Sequence, residues 1–124
     1  MAREPNGTAK QRANDPPLLI LTSLASGPRH GHALSKDIEG FAGVVLGPGA
    51  LYGAITRLEE RGLIEPLESD DRRRPYRISA AGSAYLSDAV AQMQRLADEG
   101  ARRLAVANPL SVPRRGRRIA GSPA

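Results

Sequence analysis

Leu46-Gly47-Pro48-Gly49-Ala50-Leu51-Tyr52-Gly53 opens the stretch that decides the fold, and Arg72-Arg73-Arg74-Pro75-Tyr76-Arg77-Ile78-Ser79 closes it. Between them Leu51, Ile55 and Leu58 recur at i, i+4 and i+7 with Ala54 beside them, the apolar stripe of a helix facing a core. Arg61-Gly62 ends that helix, with Gly62 at the C′ position. Leu63-Ile64-Glu65-Pro66-Leu67-Glu68 reads as a strand that Pro66 confines to an edge or a bulge. Tyr76-Arg77-Ile78 returns as its partner, and the tip between them carries Arg72, Arg73 and Arg74.

Upstream, Asp15 before Pro16-Pro17 is an N-cap followed by proline at the first helical turn. The helix it starts should run to about Ser26, with Leu18, Leu21 and Ala25 on one face, until Gly27-Pro28 stops it. A second helix should run from near Gly31 to about Glu39, with Leu34 and Ile38 four apart; Gly40, Gly43 and Gly47-Pro48-Gly49 mark the loop after it. Downstream, Ser79 caps a last helix that can continue to about Ala107, where Asn108-Pro109 ends it. The fold class expected is mainly α with a small β-hairpin wing: a winged helix-turn-helix plus a long C-terminal dimerisation helix. In that layout the third helix enters the major groove of DNA and the hairpin touches the flanking backbone or minor groove. The expected organisation is a disordered arm over 1–15, the winged-helix domain over 16–79, the C-terminal helix over 80–107 and a disordered basic tail over 108–124.

At about 1.5 Å per residue the last helix is roughly 42 Å long, too long for so small a domain to bury alone. Leu86, Val90, Met93, Ala97, Gly100 and Leu104 follow the 4-3-4-3-4 spacing of a coiled-coil seam. Tyr85, Ala89 and Leu96 form a second stripe that could pack on the body of the domain. Two stripes imply two surfaces, one in the same chain and one in a second copy. A single broad stripe folded back on its own domain is the alternative. Gly100 weakens the seam by about 1 kcal/mol relative to Ala.

Composition narrows the function. There is no Cys among the 124 residues, which excludes disulfides, cysteine-ligated zinc and thiol catalysis. One Phe, three Tyr and no Trp leave a core built from Leu, Ile, Val and Ala. No apolar run approaches a membrane span and the N-terminus lacks a hydrophobic signal region, so a cytoplasmic location is expected. The formal charge is +5, but from Pro16 to Ala107 eleven basic residues balance eleven acidic ones. The excess lies in the tails, chiefly Arg114, Arg115, Arg117 and Arg118, and the basic tail either tracks a nucleic-acid backbone or is a soluble end without a role. Inside the domain, Arg72, Arg73, Arg74 and Arg77 cluster behind Asp70 and Asp71, which is better evidence for phosphate contact than a global excess.

The candidate DNA-contacting residues follow from that frame. Gly49, Ala50, Tyr52, Gly53, Thr56 and Arg57 occupy the third helix's outward face, where small residues permit close approach to a groove floor. They are otherwise filler on a solvated face. Tyr52 either donates to a phosphate or is a half-buried core ring. Arg57 reaches a guanine or a phosphate, or else pairs with Glu60 at i+3. Arg72, Arg73 and Arg74 contact DNA or form a solvated tip; Lys36, on the second helix, is a further phosphate candidate. His30 and His32 are the only histidines, suited to helix-start capping or a phosphate, since a metal site would need more ligands. No catalytic residues, metal site or cofactor are expected: there is no nucleophile motif and no phosphate-cradling loop, and Glu59-Glu60 reads as a solvated helix end.

Leu24-Ala25-Ser26-Gly27-Pro28-Arg29-His30-Gly31-His32-Ala33-Leu34, the block from Leu46 to Ile64, and Arg73-Arg74-Pro75-Tyr76-Arg77-Ile78-Ser79-Ala80-Ala81-Gly82 together resemble the PadR family of transcriptional regulators. The resemblance covers about Leu18 to Leu86. It implies a winged helix-turn-helix homodimer on double-stranded DNA at a palindromic operator, usually a repressor, dimerised through its C-terminal helix. It also implies that Tyr52 contacts a phosphate, that the third helix reads bases and that Arg72 to Arg74 form the wing. Departures are Ala50 where the family often has Thr, Gly53 where it often has Pro, and His32 where it usually has Tyr. His32 can still donate to a phosphate. In some relatives an apolar pocket at the dimer interface binds aromatic molecules. With no Trp to stack on such a ligand, weak or absent binding of large planar drugs is expected here, and any small-molecule effector is unknown. The rival functions are a winged-helix protein–protein adaptor, which would want an uncharged wing and an apolar third helix, and a nonspecific DNA-binding protein.

Overall fold

The apolar run Leu18 to Leu21 becomes the centre of the molecule. In the computed structural model, which describes residues 15–69 and 72–107, it lies in helix α1 (Pro16–Leu24), with Leu19, Ile20, Leu21 and Leu24 all buried. The expected terminal disorder and the pair Asp70-Asp71 fall outside the described residues, except for Asp15. Helix α1 packs against α2 (Gly31–Ala42), α3 (Pro48–Glu60) and strand β3 (Pro75–Ile78). A helix covered on three sides has no single apolar face, so the expected stripe of Leu18, Leu21 and Ala25 holds only at Leu21: Leu18 is half-buried, and Ala25 is exposed as the C-cap of a helix that ends at Leu24, before the expected Ser26. Asp15 precedes the helix as expected, yet only its carbonyl is used, accepting from the Leu19 amide at 3.0 Å. Its carboxylate makes no capping bond. Side-chain caps bond the N2 or N3 amide; Pro17 at N2 has none, which leaves only the Leu18 amide at N3, and the carboxylate does not bond it.

Helix α2 buries Gly31, Leu34 and Ile38 and continues a turn beyond the expected end at Glu39. Gly40, read as a loop marker, lies inside it on the exposed side. The stop is Gly43, in the left-handed region at φ 69°, with its amide bonded to the Glu39 carbonyl. Helix α3 starts with Gly47 as N-cap and Pro48 at N1, and buries Leu51, Ala54, Ile55 and Leu58 as its spacing predicts. It closes in a Schellman motif: Gly62 has φ 74°, and the Leu63 and Gly62 amides bond the Leu58 and Glu59 carbonyls.

The hairpin is β2 (Ile64–Pro66) against β3, antiparallel, with Ile64 opposite Ile78 and Glu65 opposite Arg77. A third strand, β1 (Arg29–His30), pairs on the other side of β3, placing Arg29 opposite Tyr76 and His30 opposite Pro75. Two residues are too few for strand periodicity to show in a sequence. Pro66 sits on the outer strand of the order β1-β3-β2, where its missing N–H is tolerated. Arg77 pairs with Glu65 across the ladder at 3.0 Å; half-exposed, it sets register more than it adds stability. Arg77 is thus held at the hairpin's stem and does not join the tip.

Helix α4 (Ala80–Ala107) begins where Ser79 caps it, accepting the Gly82 amide at 3.0 Å. The chain divides into two compact units after Ser87, so the first two turns of α4 belong with the body. There Gly82 is buried, Tyr85 stacks beneath the Arg61 guanidinium at 5.0 Å, and Leu86 packs against the core. Leu86, expected in the outward seam, therefore serves the inward surface. Leu96, expected in the inward stripe, is 69% exposed. In the second unit Val90, Met93 and Leu104 are exposed, as are Ala97 and Gly100. Arg102, then Arg103, bond the Glu99 carboxylate and hold its pKa below the ordinary carboxylate value.

A β-carbon at position 82 would overlap the Leu63 carbonyl oxygen and sit 2.9 Å from Ile78 Cγ1, whereas one at position 40 would meet nothing. Gly82→Ala is expected to cost about 1–3 kcal/mol of stability, and Gly40→Ala to add about 1 kcal/mol. Thermal melts of the two variants check this, and shifts of the same sign would refute it.

Candidate nucleic-acid interface

The outward face of α3 is nearly bare. Gly49, Ala50, Tyr52, Thr56 and Arg57 are exposed and Gly53 is half-buried. The Thr56 hydroxyl donates to the Tyr52 carbonyl at 2.9 Å. Arg57 folds back along the helix, its Nη1 3.7 Å from where a β-carbon on Gly53 would stand. It makes no ion pair with Glu60 among the described residues.

Tyr52 leaves this face sideways. Its ring is 50% exposed, and its phenol lies against the α-carbon of Gly31, so that any β-carbon there would overlap it. Gly31 is a glycine because Tyr52 occupies the space a side chain would need. The neighbouring His30 is the N-cap of α2: its Nδ1 accepts the Ala33 amide at 3.3 Å, so its Nε2 carries the ring proton. The His32 ring stacks nearly parallel to it, with centroids 6.4 Å apart.

These parts enclose a groove of about 300 Å³ lined by His30, Gly31, His32, Tyr52, Arg72, Arg73, Arg74 and Tyr76. The wing arginines, Tyr52 and the histidine pair thus share one concave surface beside α3. Arg72 and Arg74 also border a second hollow of about 410 Å³ on the wing, with Glu68 and Ser69. Lys36 is exposed on α2 but does not line the groove. Gly31 and Tyr76 are the lining residues that sequence reasoning did not assign, while His30, read as a helix-start cap or a phosphate ligand, is the N-cap of α2. Tyr76 follows the arginine run directly, and that adjacency was its only signal. Partial burial, then the nearby Glu59 carboxylate, raises the Tyr76 pKa above the ordinary phenol value, with Arg74 opposing, so the ring stays a neutral donor.

The strand that carries His30 into the groove is anchored by a polar cluster. Arg29 Nε donates to the buried Ser23 hydroxyl at 3.0 Å, Ser23 donates to Asp37 at 2.6 Å, and Arg29 lies 3.5 Å from the same carboxylate. The cluster joins α1, β1 and α2. Its members are 6 to 14 residues apart in the chain, without a spacing that marks them.

Among the described residues no cluster of His and carboxylates could hold a metal ion, and no helix is long and apolar enough to cross a membrane. A model of the transcriptional regulator PadR-like family matches residues 20–88, more than half of the chain. The chain belongs to the PadR family. It is similar to a transcriptional regulator from Clostridium thermocellum, with a TM-score of 0.64 and 25% identity over 77% of this chain and 95% of that one. A PadR family transcriptional regulator from Eggerthella lenta DSM 2243 is 28% identical, with a TM-score of 0.63 over 75% of this chain and 84% of that one. An uncharacterized 37.1 kDa protein in transposon TN4556 of Streptomyces fradiae is 46% identical over 85 residues, or 68% of this chain. The match spans only a quarter of that relative's length. PadR proteins are DNA-binding transcriptional regulators, not enzymes.

Gly31→Ala is expected to push the Tyr52 ring from the groove and lower DNA affinity about tenfold, as the loss of one hydrogen bond to a charged group would. In a Tyr52→Phe background the same change should cost much less, because the two residues act as one unit. Fluorescence anisotropy with a melting control measures both. Undiminished affinity in Gly31→Ala would show that the ring's placement is immaterial.

Proposed function

We propose that this PadR-family chain is a homodimeric repressor that binds a palindromic operator in the cytoplasm. The observation that carries the reading is the groove itself: two phenols, two imidazoles and three guanidinium groups converge beside a helix face made of glycine, alanine and threonine. Phosphate fits that donor set, and the bare helix face suits close approach to a major-groove floor. Tyr52, His32 and Arg72, Arg73 and Arg74 hold the backbone; Gly49, Ala50, Gly53, Thr56 and Arg57 face the bases; Lys36 adds a phosphate contact outside the groove. Phosphate contacts position the protein and base contacts specify the sequence. The adaptor reading loses support, because α3 exposes no apolar patch.

Dimerisation is supported by the exposed seam of α4. Val90, Met93 and Leu104 are 47%, 41% and 58% exposed, a row that a second copy would cover. In such a dimer two α3 helices enter successive major grooves about 34 Å apart. An effector, if one exists, acts by favouring one separation of those helices, which requires different affinity for the two states.

Replacing Arg72, Arg73 and Arg74 together by Glu should abolish tight binding to the protein's own promoter. It should also flatten the slope of log K against log salt by about 0.9 for each phosphate that the protein no longer neutralises. Anisotropy titrations over a salt series, with a scrambled duplex alongside, test this. Equal wild-type affinity for both duplexes would leave a nonspecific binder. Separately, Met93→Lys with Leu104→Lys should convert a dimer to a monomer in sedimentation velocity; a monomeric wild type would end the dimer proposal.

A further inference from the structure

The exposed side of α3 carries few groups able to read a base. Gly49, Ala50 and Gly53 bring no polar side-chain atom. The Thr56 hydroxyl proton is already donated to the Tyr52 carbonyl, leaving a methyl group and lone pairs. Tyr52 is held sideways over Gly31 in the groove. Glu60 is exposed at the helix end but only accepts. Arg61 is stacked over Tyr85, away from this face. One donor remains, Arg57.

Its geometry suits the task. Arg57 lies in the last turn of α3 and is exposed, with no hydrogen bond or ion pair to another side chain among the described residues. Its guanidinium lies one turn back along α3 on the strip that Gly53 leaves open, with Nη1 3.7 Å from the missing β-carbon's position. Guanine presents two acceptors side by side in the major groove, O6 and N7, and the planar guanidinium fork matches that pair. A carbonyl acceptor alone, as thymine offers, would satisfy half of the fork.

We infer that Arg57 is the one hydrogen-bond donor with which α3 reads sequence, and that it commits each half-site of the operator to a guanine. The inference rests on the proposed entry of α3 into the major groove. Gly53 is its permissive neighbour, leaving the helix surface flat where the guanidinium lies.

Selection from a randomised duplex library, with wild type and Arg57→Ala in parallel, tests it. Wild type should return a motif with one strongly preferred guanine per half-site, and Arg57→Ala should lose the preference at that position alone. On the selected duplex the variant should bind about 5- to 150-fold more weakly with an unchanged salt slope. Replacing the mapped guanine by 7-deazaguanine should weaken wild type and leave Arg57→Ala indifferent. Arg57→Lys should restore only part of the preference, since an ammonium lacks the fork. A uniform loss across all sequences, with the salt slope reduced by about 0.9, would make Arg57 a phosphate contact and overturn the inference. So would an unchanged motif in Arg57→Ala, although the operator-binding proposal would then stand. A wild type that selects no motif overturns both.

Discussion

Ser79 ties together the three elements that the interface needs. Its hydroxyl donates to the Gly62 carbonyl at 2.7 Å and accepts the Gly82 amide at 3.0 Å, while its own amide donates to the Leu63 carbonyl at 3.0 Å. The end of α3, the exit of the wing and the start of α4 therefore meet at one residue. Helix termini leave backbone groups without intrahelical partners. Here one hydroxyl answers an orphan amide of α4 and the carbonyl of the glycine that stops α3. The wing departs from Leu63 and returns to Ser79, so its arginines are registered against α3 from the stem outward. Gly82 completes the joint by letting the first turn of α4 lie directly on the Leu63 carbonyl.

The opposite edge of the groove is fixed by different physics. Ser23 is almost fully buried, and a buried hydroxyl must be hydrogen-bonded. It finds Asp37 and Arg29, and in doing so fastens β1 between α1 and α2. The ion pair is worth little in itself, because both side chains remain about a third exposed. Its effect is geometric: it holds Arg29 opposite Tyr76 and sets His30 at the start of α2. Gly31, next in the chain, then meets the Tyr52 phenol. Two short-range constraints thus determine where the groove-lining groups stand.

The local elements were legible in the sequence, and the non-local ones were not. The core stripe of α3, the Gly62 stop and the Ser79 cap are written within one or two helical turns, and the structure has them all. The end of α2 was misplaced because Gly40 is tolerated on an exposed helical face, and only a glycine required at positive φ, as at Gly43, is a true stop. The buried face of α1 was misread because a helix surrounded on three sides carries no clean period. Strand β1 and the Ser23–Arg29–Asp37 cluster left no pattern, since their partners are distant in the chain. Tyr52 and the wing arginines could be named from the sequence as candidates. Their convergence with His30 and Tyr76 on one groove needed the three-stranded sheet that the sequence did not disclose.

Charge shows how an electrically neutral body can present a basic surface. Between Pro16 and Ala107 acids and bases balance, so no long-range field distinguishes this domain, and at physiological salt such a field would fade within about 8 Å. What matters is which cations the fold neutralises. Arg29 faces Asp37, Arg77 faces Glu65, and Arg102 and Arg103 share Glu99. Arg57, Arg72 and Arg74 have no ion pair among the described residues, and they lie on α3 and the wing. Lys36, Arg61 and Arg95 have none either, so the unpaired cations are spread over α2, α3 and α4 as well, and the wing holds the densest group of them at contact range. In the proposed complex that charge positions the duplex, while a helix with one base-reading donor supplies little direct discrimination. The remainder must come from rigidity: a groove and wing held at fixed spacing accept only DNA whose backbone can meet them, so the bending and groove width of the operator become part of its sequence signal.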